Sequence, residues 1–258
     1  MIDKSLYDKK FYDSTHEHTY SAQIILNIIF RYHRPRSIID VGCGSGSWLS
    51  VADKMGVEKL TGIEADWLKP EMLITKKIDL FTYDVSEPLP SISKNDLAIS
   101  LEVAEHLSES RSEGFINDLC SLADIVLFSA AIPYQGGDNH INEQWQSYWS
   151  NLFSKNNYEV RDIIRPIIWN NRKVKSWYRQ NCLLFVNKKI QSLIMPPNHK
   201  NPIDLVHPKI FINNPDKYQF MQVVNNDYDR LNKQNYRLKI LSYALFIILC
   251  ITILLFIF

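Results

Sequence analysis

The sequence predicts an α/β protein whose core is a mostly parallel β-sheet with helices on both faces. Short apolar runs alternate with stretches of helical periodicity between residues 17 and 190, which is the pattern of repeated strand–helix–strand units. The first apolar run ends in a cluster of glycines, as the strand-to-helix turn of a ligand-binding sheet does. The 258 residues provide enough chain for one such domain with an appended segment.

The individual elements follow from local patterns. A first helix is predicted over residues 17–33, where isoleucines recur at helical spacing, and Pro35 ends it. The predicted strands are Ser37–Val41, Lys59–Glu64, Ile78–Tyr83, Asp96–Leu101, Ile125–Ala131, Tyr158–Arg165 and Cys182–Val186. Further helices are predicted at Ser47–Met55, from Val103 onward, at Glu109–Leu122 and at Glu143–Phe153.

Composition limits the classes of function. The formal net charge is +1, from 29 basic and 28 acidic residues, so the overall charge gives no reason to expect a nucleic-acid partner. Hydrophobic residues make up 46% of the chain, as in globular proteins, which excludes disorder as the main state. None of the four cysteines lies in a C-x-x-C motif. Neither a disulfide framework nor a zinc site is therefore indicated.

The chain divides into three parts. Residues 1–190 form the predicted domain, and residues 191–239 form a linker rich in proline and asparagine that ends in a polar helical stretch. His207, within the linker, has no partner by spacing and is predicted to be a surface residue. Residues 240–258 form an apolar tail without a single charge.

The tail is predicted to be a transmembrane helix. Nineteen helical residues rise about 28 Å, close to the roughly 30 Å thickness of the hydrocarbon core. Residues 230–239 contain four basic side chains and no acidic one, which predicts that this flank stays in the cytoplasm. The sequence thus indicates a single-pass C-terminal membrane anchor with the folded domain cytoplasmic. The alternative is a buried helix or a dimer interface.

The glycine cluster predicts a ligand site. Gly42, Gly44 and Gly46 follow the first strand in the run D-V-G-C-G-S-G, and Glu64 ends the second strand, where a carboxylate can bind both hydroxyls of a ribose. This spacing fits NAD as well as S-adenosylmethionine. Asp40 would repel a pyrophosphate, however, and suits a ligand that carries an ammonium and a sulfonium. The alternative is a tight turn that only packs a helix on a strand.

At this point the sequence resembles a known family. The runs D-V-G-C-G-S-G, G-I-E, Y-D-V and S-L-E-V-A-E-H-L look like the ordered motifs of class I S-adenosylmethionine-dependent methyltransferases. From about residue 7 to residue 189 the chain resembles a bacterial subgroup that carries the segment H-x-N-E-Q-W-x-x-Y-W, here within Ser129–Trp149. The resemblance implies a Rossmann-like sheet of seven strands whose last strand is antiparallel, which the periodicity alone does not predict.

The resemblance also implies roles for individual residues. It places the methionine end of S-adenosylmethionine against the loop residues Asp40, Gly42, Gly44 and Gly46. It assigns Glu64 to the ribose and Asp84 to the adenine amino group, although Asp84 is also a plausible helix or turn cap. Glu102 matches the position where the methyl group of the cofactor faces the substrate.

A cluster of acidic residues and histidines follows the fourth strand. Glu102, Glu105 and His106 are spaced i, i+3, i+4, which puts them on one face of a helix, and His140 lies in the loop after the fifth strand. One hypothesis makes a histidine the general base for a hydroxyl acceptor. Another makes the four residues ligands of a divalent metal, because E-x-x-E-H with a later histidine looks like the metal site of small-RNA 2′-O-methyltransferases. The E-x-x-E-H part is also similar to ubiquinone-pathway O-methyltransferases. The third hypothesis is that Glu105 and His106 only cap or bridge the start of the helix.

The expected function is therefore an S-adenosylmethionine-dependent methyltransferase. The acceptor would be a hydroxyl of a glycan, a lipid-linked molecule or a small molecule at the cytoplasmic face of the membrane. Two rivals remain at this stage, a membrane-tethered module that binds the cofactor without turnover and a nicotinamide-dependent oxidoreductase.

Overall fold

The computed structural model describes residues 18–190 and 203–211 of the chain. Their centre is a seven-stranded sheet with the strand order β3-β2-β1-β4-β5-β7-β6. The strands are β1 (Ser37–Val41), β2 (Lys59–Glu64), β3 (Ile78–Thr82), β4 (Leu97–Leu101), β5 (Ile125–Ser129), β6 (Tyr158–Arg161) and β7 (Leu183–Asn187). All seven predicted strands are thus confirmed, with ends that shift by up to four residues.

The direction of the last strand is also confirmed. Strands β1 to β5 pair in parallel, whereas β7 runs antiparallel to both β5 and β6, between which it lies. A strand buried on both faces reads as a continuous apolar run whichever way it points. Its direction therefore left no trace in the periodicity of the sequence.

Seven α-helices surround the sheet in the described residues. They are α1 (His18–Phe30), α2 (Ser47–Lys54), α3 (Ser112–Leu122), α4 (Gln146–Lys155), α5 (Arg165–Ile168), α6 (Ser176–Asn181) and α7 (Pro208–Phe211). Short 3₁₀ turns occur at Pro70–Met72, Ala104–His106 and Glu109–Arg111. The short helices α5, α6 and α7 have no counterpart among the predicted elements.

One predicted element was wrong in type and one was too long. The helix expected from Val103 is only the 3₁₀ turn Ala104–His106, because Glu102 leaves β4 with a left-handed φ of 56° and Val103 is not helical either. The strand expected over Tyr158–Arg165 ends at Arg161, and α5 starts at Arg165 with a proline in its first turn. A proline there lacks only an N–H that the helix does not use.

The core consists of two apolar layers, one on each face of the sheet. Successive side chains of a strand point to opposite faces, so Ile38 packs in one layer and Ile39 in the other. The first layer includes the buried faces of α1 and α2, and the second includes those of α3 and α4. This three-layer arrangement leaves the carboxyl ends of the parallel strands open at one edge.

The predicted membrane anchor, 240–258, and the polar stretch before it lie outside the described residues. Among the helices of residues 18–190 and 203–211, none combines the length and hydropathy that crossing a bilayer requires. Residues 203–210, which the sequence assigns to the linker, belong to the same compact unit as the sheet. His207 in this segment is only 6% exposed, so its prediction as a surface residue was wrong.

Candidate active site

A cavity of about 400 Å³ opens at the carboxyl ends of β1, β2 and β4, the edge at which sheets of this kind bind ligands. Most of the residues singled out in the sequence meet there. Its lining includes Asp40, Gly42, Gly44, Glu64, Asp84, Glu102, His106 and His140. Gly46 and Glu105 do not line the cavity but lie next to residues that do.

The glycine loop forms one wall because its backbone is left-handed at three positions. Gly42, Gly44 and Gly46 have φ values of 77°, 52° and 78°, which residues with a side chain rarely adopt. A Cβ atom at Gly42 would come within 2.4 Å of Cγ2 of Val103, another cavity residue. Gly46 is the N-cap of α2, so the loop ends where that helix begins.

Two carboxyl groups lie at the base of this loop. Asp40 is 3% exposed, and its burial, followed by the charge of Glu64, raises its pKa from the ordinary 3.8 to about 8. Glu64 accepts hydrogen bonds from the N–H groups of Gly44 (2.8 Å) and Ala65 (3.0 Å), yet burial still raises its pKa. No lysine or arginine is among the described residues that line the cavity. The site therefore favours a positively charged ligand.

Asp84 caps a turn and also faces the cavity. Its Oδ1 accepts a hydrogen bond from the Ser86 N–H at 2.9 Å, which caps a turn, and the residue also lines the cavity. Aromatic side chains complete the walls: Trp48, Trp67, Trp177 and Tyr178. Trp48 and Trp67 were not predicted, because a single aromatic residue after a strand or on a helix carries no distinctive pattern.

Glu102 reaches the cavity by a different route from the one expected. Its left-handed backbone takes it out of β4 before the 3₁₀ turn starts, so it does not share a helix face with Glu105 and His106. Its carboxylate accepts hydrogen bonds from Nε2 of Gln135 (3.1 Å) and Nδ2 of Asn181 (3.2 Å). Burial raises the pKa of Glu102 above its usual range.

Glu105, His106 and His140 form a compact group of metal-ligating atoms. One such atom from each lies within 4.8 Å of the others. The Glu105 side chain is fully buried, and its carboxyl adjoins the Glu102 carboxyl and the backbone N–H groups of Glu105 and Ala131 without a well-aligned hydrogen bond to any of them. Burial, followed by the charge of Glu102, raises the pKa of Glu105 well above its usual range. A carboxylate in this position needs a proton or a cation.

Each of the two histidines is oriented through its Nδ1. That of His106 lies 3.3 Å from the Asn139 carbonyl oxygen, and that of His140 lies 2.9 Å from Oε1 of Glu143. A carbonyl oxygen only accepts, so the neutral His106 ring carries its proton on Nδ1 and leaves the Nε2 lone pair available. Burial, followed by the charge of His140, lowers the pKa of His106 to about 4. The role of Glu143 was not predicted.

Comparisons with known proteins relate the fold to solved structures. Human N-acetylserotonin methyltransferase, solved in complex with SAM, is 13% identical, with a TM-score of 0.50 over 72% of this chain. The match spans 56% of the human chain. Magnesium protoporphyrin IX methyltransferase from Synechocystis, solved with bound SAH, is 17% identical, with a TM-score of 0.50 over 67% of this chain and 84% of its own. At these identities the likeness concerns the fold.

An O-methyltransferase family protein from Burkholderia thailandensis shares the same fold at 11% identity and a TM-score of 0.51, over 70% of this chain and 60% of its own. No curated protein sequence matches this chain. A family model described as a methyltransferase domain matches residues 14–151, which is more than half of the chain. With the cavity at the glycine loop and the seven-stranded sheet, this match shows that the chain belongs to the methyltransferase domain family.

Proposed function

We propose that this protein is an S-adenosylmethionine-dependent O-methyltransferase. The observation that carries the proposal is the buried Asp40 carboxyl, which lies beside Glu64 at the glycine loop and has no basic residue near it in the described lining of the cavity. An unbalanced pair of buried acids suits a ligand that brings its own positive charge. S-adenosylmethionine carries two positive charges, one on its ammonium group and one on its sulfonium.

The residues that would hold this cofactor are distributed along the cavity, and each would bind a different part of it. Asp40 would accept hydrogen bonds from the ammonium group, and Glu64 would accept them from the ribose hydroxyls. Asp84, whose Oδ1 is occupied by the turn, would use its other oxygen for the adenine amino group. The three glycines allow the backbone to approach the ligand closely.

The chemistry of the step needs little from the protein besides orientation and proton removal. S-adenosylmethionine, when bound, supplies a methyl group on a positively charged sulfur. The leaving group is a good one, because the sulfur departs as the neutral thioether of S-adenosylhomocysteine. The walls of the cavity would hold the acceptor oxygen in line with that methyl group. In a protein without a metal, His140 is the better placed general base, because Glu143 orients its ring in the way that an acid orients the base of a catalytic dyad. Its other ring nitrogen, Nε2, serves either as this base or as a metal ligand. His106, with its low pKa, is a weak base.

A divalent metal at Glu105, His106 and His140 is the second part of the proposal. The residues fit a metal, because the buried Glu105 carboxylate forms no well-aligned hydrogen bond and both rings have their Nδ1 engaged by other groups, which is how metal-bound histidines are oriented. A metal there would lower the pKa of an acceptor hydroxyl. Glu102, the fourth predicted ligand, is held by two amides and would face the acceptor instead.

The acceptor and the location of the enzyme are proposed from the sequence. A hydroxyl of a glycan, of a lipid-linked molecule or of a small molecule at the cytoplasmic membrane face suits an enzyme that is anchored by residues 240–258. The aromatic wall of the cavity suits the apolar face of a ring. No nucleic-acid partner is proposed.

Calorimetry of the full chain with S-adenosylmethionine tests the cofactor. We expect binding that is lost in Asp40→Asn and that is weaker for S-adenosylhomocysteine, which lacks the charge on sulfur. Failure to bind either compound would contradict the proposal and favour a nicotinamide cofactor.

Release of S-adenosylhomocysteine in the presence of membrane extract from cells that lack the protein tests turnover. We expect release that chelation abolishes and a divalent ion restores. Cofactor binding without any release would identify a tethered binding module in place of an enzyme.

A further inference from the structure

A network of amide side chains, two of them buried, leads from Glu102 to residues 203–210, a segment that we call the strap. The amide network consists of Gln135, Gln180 and Asn181. Gln135 and Asn181 donate hydrogen bonds to the two carboxylate oxygens of Glu102. Gln180 donates to Oε1 of Gln135 and to Oδ1 of Asn181, both at 2.9 Å. Gln180 and Asn181 are almost fully buried at the end of α6, and neither lines the cavity.

The strap is held to the domain by buried groups. The Ile203 carbonyl accepts a hydrogen bond from Nη1 of Arg165 (2.8 Å), and the Leu205 carbonyl accepts one from Nε2 of Gln146 (2.9 Å). The His207 backbone N–H donates to Oε1 of Gln180 at 2.8 Å. This last bond joins the strap to the amide network.

The direction of every amide follows from that backbone N–H. A backbone N–H only donates, so the atom of Gln180 that faces it is the oxygen, and the NH₂ group of Gln180 faces Gln135. The atom of Gln135 that receives this bond is then its oxygen, which turns its NH₂ group toward Glu102. The Ile132 N–H donates to the same Oε1 of Gln135 at 3.4 Å, so the orientation of this donor in the cavity is set jointly by a group in the strap and by the backbone after β5.

Glu102 needs such support because of its backbone. A left-handed φ of 56° in a residue with a side chain is strained and persists only where the surroundings hold it. The two amide donors bind the side chain of that residue directly.

We infer that Gln135, Gln180 and Asn181 are positioning residues that hold Glu102 toward the acceptor, and that the strap orients them through His207. The inference rests on the proposed function in one respect only, namely that Glu102 faces the acceptor. Residues 203–210 are on this view part of the active domain, and Gln180 acts on the reaction through Glu102 alone.

Hydrogen exchange of the full chain tests the positioning without an acceptor. Gln180→Met keeps the size of the side chain and removes its hydrogen bonds. We expect residues 101–107 to exchange about two- to tenfold faster in this variant, the factor expected for one neutral hydrogen bond, while affinity for S-adenosylmethionine is unchanged. The comparison variant is Gln146→Met, which removes a buried amide that holds the strap but does not bind the side chains of Gln135 or Asn181, so it should raise exchange at residues 101–107 less than Gln180→Met does. Unchanged exchange in Gln180→Met, or the same increase in the comparison variant, would overturn the inference.

Asp204→Ala tests the strap with an exposed residue whose replacement does not threaten folding. Its Oδ1 accepts a hydrogen bond from the Ser147 N–H at 2.7 Å. We expect faster exchange in the strap and, to a smaller degree, in residues 101–107. Faster exchange in the strap alone would show that it does not orient the network.

Turnover with the membrane extract separates the inference from the proposed function. We expect Gln180→Met to lower kcat in the wild-type background and to have no further effect in Glu102→Gln. Equal losses in both backgrounds would overturn positioning through Glu102. Absence of turnover in the wild-type protein would contradict the proposed function, and the exchange results would still decide the inference.

Discussion

The Asp40 carboxyl is buried in the cavity, and the ordinary compensation for a buried acid, a neighbouring lysine or arginine, is missing from the described residues of the lining. At pH 7 the group therefore holds its proton in the absence of ligand, because its pKa is raised to about 8. A cationic ligand favours the ionised form, so its binding releases this proton. Cofactor affinity should accordingly increase as the pH rises toward 8.

The raised pKa of Asp40 also predicts the pH dependence of stability. Between pH 3.8 and about 8 the folded protein binds a proton at this position that the unfolded chain has released. This group therefore makes stability fall as the pH rises through that window, by up to about 1.4 kcal/mol per pH unit for one proton. Urea unfolding of the ligand-free protein at several pH values should show a smaller slope in Asp40→Asn. An identical slope in both proteins would mean that Asp40 is ionised when folded.

Gly42 gives a second prediction for a single residue. Gly42→Ala forces Val103 to move, since the new Cβ would lie 2.4 Å from its Cγ2, and the shift narrows the cavity. We expect weaker S-adenosylmethionine binding by calorimetry, and recovery in the double variant Gly42→Ala/Val103→Ala.

The matched control for this change is Gly56→Ala. Gly56 has a comparable φ of 88°, but a Cβ there would have no atom within 4 Å. Gly56→Ala should therefore cost only the strain of a left-handed residue, about 1–2 kcal/mol of stability, and leave cofactor affinity unchanged. Equal affinity losses in both variants would exclude the steric explanation.

At the scale of elements, the short helix α5 begins with a residue that joins three parts of the domain. Arg165 is 1% exposed and forms a bidentate pair with Asp162, and its Nη1 donates to the carbonyls of Gln180 in α6 and Ile203 in the strap. Arginine suits this position because its planar donors satisfy several acceptors at once. Arg165 thus connects the part of the sheet that contains β6 and β7 to the strap.

Replacing this arginine should be far more damaging than replacing its neighbour in β6. We expect Arg165→Met to lower the free energy of unfolding by about 3–5 kcal/mol, because it removes the arginine that is paired with the buried Asp162 carboxylate. Arg161→Met, which removes the partly exposed pair with Glu159, should cost about 0–1 kcal/mol. Chemical denaturation measures both, and similar losses would show that burial of the Arg165 pair contributes little.

The metal proposed at the turn after β4 predicts that the Tm of the protein depends on metal, which can be measured without an activity assay. A divalent ion bound to Glu105, His106 and His140 would stabilise the folded state by linkage, so a chelator should lower the Tm of the wild-type protein. In Glu105→Gln the chelator should have no effect, and the metal-free variant should be more stable than the metal-free wild type because a buried carboxyl without a well-aligned hydrogen bond has been removed. A Tm that does not respond to chelator or to added Mg²⁺, Mn²⁺ or Zn²⁺ would leave these residues without a metal.

At the scale of the whole molecule, the described domain and the apolar tail are predicted to be separable in function. Deleting residues 240–258 should transfer the protein from the membrane fraction to the soluble fraction, since this tail is the one charge-free segment long enough to span the bilayer. The cavity lies between β1 and β4, so the shortened protein should still bind S-adenosylmethionine. Fractionation and calorimetry check the two expectations, and an insoluble product would indicate a tail that packs against protein.

The strap adds a condition to that experiment. Residues 203–210 pack on the domain, so the inference above requires that a truncation retain them. A protein that ends after residue 239 keeps the strap, whereas one that ends after residue 190 exposes Gln180 and Arg165. We expect the shorter protein to lose turnover more than cofactor affinity.

The sequence alone determined the order of the seven strands along the chain, the glycine loop and the acids of the cofactor wall. These features are local, because a strand, its terminal glycines and the acid two residues before them lie within one short stretch such as Ser37–Gly46. The resemblance to methyltransferases supplied the direction of β7. It also supplied the role of Asp84, whereas Glu64 and His140 were singled out from their positions after predicted strands. The structure brings all three to the same cavity.

Only the tertiary structure decided how the acceptor side is built. Residue spacing alone predicts that Glu102 and Glu105 lie on one face of a helix. In the structure Glu102 has a left-handed backbone and Glu105 lies in a 3₁₀ turn, so they share no helix face.

Gln135 and the strap meet the site through contacts between residues far apart in the chain, such as Asn181 with Glu102. Glu143 contacts His140, three residues before it, but no sequence pattern marked this pair. Amide side chains produce no periodicity and no composition signal. Their role becomes visible only when folding removes water from them, because a buried amide must then find a specific partner.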